Sequence, residues 1–136
     1  MQGKAATLHQ LAMIYANQGE IDQAIALYQQ SIEIEEKIGN VQGKAATLHC
    51  LACIYADQGK IDQAIALFQQ SLELNEKIGN VQGKAATLSM MGQMVIVHQQ
   101  DYQQGLAYLE QSFAILQRLR SPDAATVQEI IARIRG

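Results

Sequence analysis

An all-α solenoid of three helix–turn–helix repeats, closed by a C-terminal capping helix, is the fold class this sequence predicts. Three observations lead to it. Residues 2–41 and 42–81 are near-copies of one unit, differing at eight of forty positions, and a third copy opens identically at Gln82–Leu88 before it drifts. Within each copy the apolar residues recur at i, i+3, i+4 and i+7, the period of one helix face. The composition is rich in Ala, Ile, Leu and Gln, with no Trp and a single Pro, Pro122, which favours helix throughout.

Each copy divides into two helices. In the first copy, Leu8, Leu11, Ala12 and Tyr15 form one apolar stripe, and Ile21, Ala24, Ile25, Tyr28, Ser31 and Ile32 form the next. Gly19 and Gly59 stand between the stripes, where a chain reversal needs positive φ. Lys37-Ile38-Gly39 and Lys77-Ile78-Gly79 read as helix C-termini, and Asn40 and Asn80 as caps of the helices that follow. The small residues Ala12 and Ala24 let the paired helices approach closely. One such pair cannot bury its apolar faces alone, so stacking on neighbours is required.

The chain thus reads as one domain, 1–136, with repeats at 2–41, 42–81 and 82–121 and a capping helix at 122–135. In the third copy one extra residue lies between Val95 and Asp101, and no Gly replaces Gly19. His98-Gln99-Gln100 either turns or lets two helices run on as one, the latter opening a domain swap between chains. At the C-terminal end, Ser121 is the expected N-cap and Pro122 the first helical residue. Val127, Ile130, Ile131 and Ile134 supply the inner face of that helix, and Gln128, Glu129, Arg133 and Arg135 the outer. Met1 leads directly into the first copy, so the face containing Thr7 and Ile14 has no preceding repeat to cover it. That predicts either a place within a longer array or self-association through this end.

The residues Leu8, Leu11-Ala12, Tyr15, Gly19, Ala24 and Tyr28 match the tetratricopeptide signature, and Leu48, Leu51-Ala52, Tyr55, Gly59, Ala64 and Phe68 repeat it. The chain therefore resembles the tetratricopeptide repeat family over its whole length. Leu8 takes the usual Trp-type position, the usual final Pro is absent, and the repeat is longer than the common form. The long form is similar to the arrays of kinesin light chains, of the spindle-orientation proteins that bind GoLoco peptides, and of bacterial signalling proteins. The resemblance implies a right-handed solenoid and a concave groove that holds an extended or helical peptide.

In that pattern the groove is lined by Ala6, His9, Met13, Ala16 and Asn17, then by Ala46, His49, Cys53, Ala56 and Asp57, and finally by Ala86, Ser89 and Gln93. The lining is small, weakly polar and nearly uncharged. It lacks the Lys- and Asn-rich clamp that some relatives use for a C-terminal carboxylate. Where the spindle-orientation proteins carry Asn, this chain has Met13, Cys53 and Gln93, which argues against a GoLoco-type ligand. An apolar or helical segment suits an adaptable Met better. Met13, Cys53, His9 and His49 are the expected contacts.

Other chemistry finds little support. The formal net charge of −3 and the absence of a basic run argue against nucleic acid. No apolar stretch approaches the ~20 residues of a membrane helix, and no export signal opens the chain. Cys50 and Cys53 form CxxC on a helix, but the first copy has Gln10 and Met13 there, so small filler residues in a reducing cytoplasm are expected. His9 and His49 have no carboxylate in the sequence pattern to orient them, so no metal is expected. Gly39-Asn40-Val41-Gln42-Gly43-Lys44-Ala45 is one spacer too short for a phosphate loop, and Ala45 stands where Ser or Thr must touch the metal. Glu33, Glu35 and Glu36 read as a solvated helix face. No nucleophile–base pair or paired-carboxylate site is found, so the expectation is no catalysis and no cofactor. The reading is a cytoplasmic scaffold whose partner is a protein or peptide, with a self-associating structural solenoid, a homodimer for example, as the alternative.

Overall fold

A computed structural model describes residues 2–136; Met1, from which the uncapped first copy was read, lies outside them. The described chain consists of seven helices, α1 (Gln2–Asn17), α2 (Ile21–Ile38), α3 (Val41–Asp57), α4 (Ile61–Ile78), α5 (Val81–Gln99), α6 (Tyr102–Arg118) and α7 (Asp123–Arg135). They fall into two compact units, one ending at Ile78 and the other spanning Gly79–Gly136.

In the first unit α1 packs on α2 and α3 on α4, each pair a short-looped helical hairpin, and α2 also packs on α3. Ala12, Ala24, Ala52 and Ala64 have no exposed surface, which is the close approach their size predicts. Ala12, Ala24, Tyr28, Leu51 and Ile54 form one buried cluster. The covering of α3 by α2 explains an asymmetry between the copies. Leu51 and Ile54 are 3% and 8% exposed, whereas their counterparts on α1, Leu11 and Ile14, are 38% and 51% exposed. No other helix of this unit covers that face of α1 as α2 covers α3.

The turns follow the expected chemistry. Gly19 and Gly59 take φ of 83° and 79°, and Glu20 and Lys60 donate their N–H groups back to Tyr15 and Tyr55 carbonyls at 2.9 Å. Gly39 ends α2 in the left-handed region. Asn40 accepts from Gly43 N–H at 2.9 Å, and Asn80 from Gly83 N–H at 3.0 Å, as the capping reading requires.

In the second unit α5 packs on α6 and α6 on α7. Leu109, Leu116, Val127 and Ile131 gather with Ala85 in its core. The extra residue of the third copy is absorbed in the turn. The Val95 carbonyl still closes the loop, here on Asp101 N–H at 3.1 Å. Two of the family's turn glycines are replaced by residues that keep the same backbone, Gln100 and Arg120, both at φ 55°. The chain turns between α5 and α6, and the helices do not run on as one. The small residues shrink further here, because Gly92 and Gly105 stand where the earlier copies have Ala. A Cβ on Gly92 would lie 2.8 Å from the Gly105 carbonyl oxygen.

α7 starts one residue later than expected, at Asp123. Pro122 has no N–H to offer, so the Ser121 hydroxyl accepts from Asp123 N–H at 3.1 Å. Gln128, Glu129, Arg133 and Arg135 are exposed, as the capping reading requires.

One stabilising contact was not anticipated. Ser31, Ser71 and Ser112 are fully buried, and each donates its hydroxyl proton to a carbonyl of the partner helix, those of Ala5, Ala45 and Ala85 at 3.1, 2.8 and 2.7 Å. Each bond contributes roughly 1 kcal/mol. A fully buried Phe68 contributes roughly 1.5–3 kcal/mol, so packing dominates and the serines fix alignment.

Candidate functional site

The sequence places the groove on the first helix of each copy. In the first unit these are α1 and α3, which touch directly. Ala6, Met13 and Asn17 of α1 and Ala46 and Asp57 of α3 are exposed, while His9, Ala16, His49 and Cys53 are half-buried. Ala56 is buried, so of the expected lining residues it offers a ligand the least. Ala86, Ser89 and Gln93 belong to the second unit. There Gln93 bonds back to Ser89 and borders an apolar cavity of about 250 Å³ with Ile96, Val97, Ile130, Arg133 and Ile134.

The two histidines do more than line a wall. His9 stands edge-on to Tyr28 at 5.3 Å, and His49 edge-on to Phe68 at 5.5 Å. Burial lowers the pKa of both imidazoles, which favours their neutral forms. His9 Nδ1 lies 2.9 Å from Thr47 Oγ1, and its Nε2 lies 3.8 Å from Cys50 Sγ.

Thr47 leads to a residue the sequence reading placed wrongly. Glu35 is not part of a solvated acidic face but is 4% exposed. The cause is its register. It falls seven residues after Tyr28 and four after Ser31, both on the buried face of α2, while Glu33 and Glu36 point to solvent. Glu35 Oε2 accepts from Thr47 Oγ1 at 3.2 Å. Its other oxygen, Oε1, is buried without a hydrogen-bond partner. Burial raises the carboxyl's pKa, with Thr47 and Ser31 hydroxyls opposing the shift. A carboxylate therefore does stand near His9, bridged by Thr47, contrary to the expectation that none would. The spacing from Tyr28 was the available signal in the sequence; the acidic run concealed it.

Around these residues lies a cavity of about 240 Å³ bounded by Ala6, His9, Gln10, Glu35, Asn40, Gly43 and Ala46. It brings three expected groove residues, Ala6, His9 and Ala46, to one opening and adds four that were not expected. Gly43 is required there, because a Cβ would fall 2.7 Å from Glu35 Oε2.

Cys50 and Cys53 are free and half-buried. Burial raises both thiols, Cys53 to about 12 with Cys50 and Asp57 adding to the shift. Such thiols are poor nucleophiles at neutral pH. Among the described residues no three His, Cys, Asp or Glu side chains converge as metal ligands, and no helix is long and apolar enough to cross a membrane.

The family model described as tetratricopeptide repeat matches residues 3–77. The chain belongs to the tetratricopeptide repeat family. Members of this family generally mediate protein–protein interaction and act as scaffolds rather than as enzymes. No curated protein matches the sequence. Among solved structures, BtubC (BKLC) from P. vanneervenii superposes with a TM-score of 0.85 at 20% identity, over 96% of this chain and 54% of that one. A Podospora anserina protein assigned as a kinesin light chain, with nearly identical TPR-like repeats, gives 0.80 at 23% identity, over 98% and 66%. The N-terminal domain of stress-induced protein-1 from C. elegans gives 0.74 at 15% identity, over 100% and 98%. These tetratricopeptide neighbours share the all-α solenoid fold, and this chain spans about half the length of the first.

Proposed function

We propose that this chain is a cytoplasmic protein-interaction module that holds a peptide or helical segment of a partner against the face shared by α1 and α3, and that it catalyses no reaction. The observation that supports this most is the half-open cavity where Ala6, His9 and Ala46 meet. It lies on the side where the family resemblance puts the groove, and Ala6, Gly43 and Ala46 give it small walls around one acidic residue, Glu35. Met13, 44% exposed and about one turn along α1 from His9, supplies an adaptable apolar contact. Free, poorly reactive cysteines suit a reducing compartment.

Affinity capture with the full chain tests this reading. The control is a Met13→Glu/Ala46→Glu double variant, chosen because both side chains are exposed and the fold tolerates their change. A partner retained by the wild type and lost by the variant supports the reading. Retention by both would overturn it.

A second reading, self-association, is favoured by one observation. Leu11 and Ile14 leave an apolar face of α1 exposed. Sedimentation equilibrium decides it. Mass that rises with concentration and falls back in Ile14→Glu supports a dimer through α1, and a constant monomer mass excludes one.

A further inference from the structure

We infer that the cavity between α1, the C-terminal end of α2 and the start of α3 is a subsite for a primary ammonium group, the side chain of a lysine in the bound segment, with Glu35 as its counter-charge. The inference deepens the proposed peptide-binding reading and rests on it for the source of the lysine.

The geometry gives the reason. A buried carboxylate ordinarily has its oxygens satisfied, since an orphaned acceptor costs stability. Glu35 meets that requirement on one side only. Thr47, whose one hydroxyl proton is shared with the Gly43 carbonyl at 3.0 Å, reaches Oε2 at 3.2 Å, and Oε1 has no donor. The nearby donors are committed elsewhere. The Ser31 hydroxyl, the weaker of the two that oppose the Glu35 shift, has one proton and places it on the Ala5 carbonyl at 3.1 Å. Lys44, the cation next to this corner in sequence, pairs with Glu36 at 3.0 Å instead. Gly43 N–H is held by Asn40 Oδ1 at 2.9 Å. A buried acid that borders an open cavity and lacks one donor is matched by a ligand that brings a donor and a positive charge.

The surroundings of the two oxygens select the cation. A guanidinium favours both oxygens of a carboxylate side by side, and here Oε2 is turned to Thr47 and lies against Gly43. An ammonium is a point charge that is satisfied by one carboxylate oxygen together with neutral acceptors. The Gln10 side chain, on the same rim, carries such an acceptor. The volume of about 240 Å³ admits a four-carbon stem, and Ala6 and Ala46 give that stem apolar walls.

The repeat supplies an internal comparison. The first two copies align over forty positions, and eight of these differ. Ala6, His9, Asn40, Gly43 and Ala46 all recur unchanged as Ala46, His49, Asn80, Gly83 and Ala86. Gln10 and Glu35 do not, for the second copy has Cys50 and Asn75. The two residues assigned to the ammonium are thus the two that distinguish this corner, and Asn75 shows that α4 accommodates a neutral residue at the equivalent place.

The test uses the full chain, labelled with ¹⁵N and ¹³C, and a probe that requires no known partner, Nα-acetyl-lysine N-methylamide. The probe should give saturable shifts at Gly43 and Ala46 amides and at the Glu35 carboxyl carbon, with Kd of about 1–10 mM, the range of a single weak contact. Glu35→Gln and Glu35→Asn should each weaken binding at least tenfold, and both are expected to keep dispersed spectra because Asn is native at the equivalent position of α4. The Nε-acetylated probe should not bind, and the arginine analogue should bind at least threefold more weakly. Binding that survives both Glu35 variants, or that the acetylated probe reproduces, would overturn the subsite. Equal or tighter binding of the arginine analogue would overturn the choice of ammonium. The outcome is independent of partner capture: loss of lysine binding with capture intact removes the subsite alone, and the reverse removes the module reading alone.

Discussion

Glu35 is the residue whose environment departs most from its type. It is acidic, lies on the buried stripe of α2, and is linked through Thr47 to a histidine whose own ionisation burial opposes. The two groups act on stability with opposite signs. The folded-state pKa of Glu35 is raised from 4.5, so its destabilising effect is absent below that value and grows as pH rises through the folded pKa. That of His9 is lowered from 6.5, so stability is complete above 6.5 and is lost as pH falls toward the folded pKa. Comparing wild type with Glu35→Gln isolates the first effect. In urea melts the variant should be the more stable at pH 8, and the difference should close near pH 4. A difference that does not change with pH would show that Glu35 is ionised at no cost. The position of Glu35 was legible in principle, because Tyr28, Ser31 and Glu35 share one face at helical spacing. The bond between His9 and Thr47 was not, since it joins residues 38 apart whose meeting depends on how α1 and α3 pack.

At the scale of the element, the repeat made most of the chain readable. The hairpin turns, the asparagine caps and the buried alanines all stand where spacing and residue type put them. The third copy was harder, because its turns keep the backbone of a glycine without the glycine. Gln100 and Arg120 occupy the left-handed region at φ 55°, which costs a side chain-bearing residue roughly 1 kcal/mol. Gln100→Gly and Arg120→Gly should therefore each raise stability by about 0.5–1 kcal/mol, read as a shift in the urea midpoint. Gly92→Ala should do the reverse of what helix propensity suggests. Alanine is the better helix former by about 1 kcal/mol, but its Cβ would meet Leu109 Cγ at 2.8 Å and the Gly105 carbonyl oxygen at the same distance. Overpacking of about 1–3 kcal/mol should outweigh the gain, and a stabilised Gly92→Ala would mean that α5 and α6 pack less closely than described.

At the scale of the molecule, helix hairpins of the tetratricopeptide family present short-chained residues on α1 and α3 and bury larger ones behind them. The second unit ends in α7, whose Val127 and Ile131 close its core. The class of function follows from this arrangement more firmly than the ligand does, because Ala, His and Met side chains on a shared face specify shape more than chemistry. The corner at Glu35 adds a buried charge to that face. The sequence could indicate the face through the family pattern, whereas the cavity and its buried acid required three helices to be seen together.

The most direct measurement is the footprint of a bound peptide. Peptides selected from a random library on the immobilised full chain can be titrated into the ¹⁵N-labelled protein and their amide shifts mapped. If the α1/α3 face is the binding surface, the shifts centre on Ala6, His9, Met13, Ala46, His49 and Cys53, and Met13→Glu/Ala46→Glu abolishes them. Shifts confined to the exposed sides of α2 and α4, unchanged in the double variant, would contradict the account.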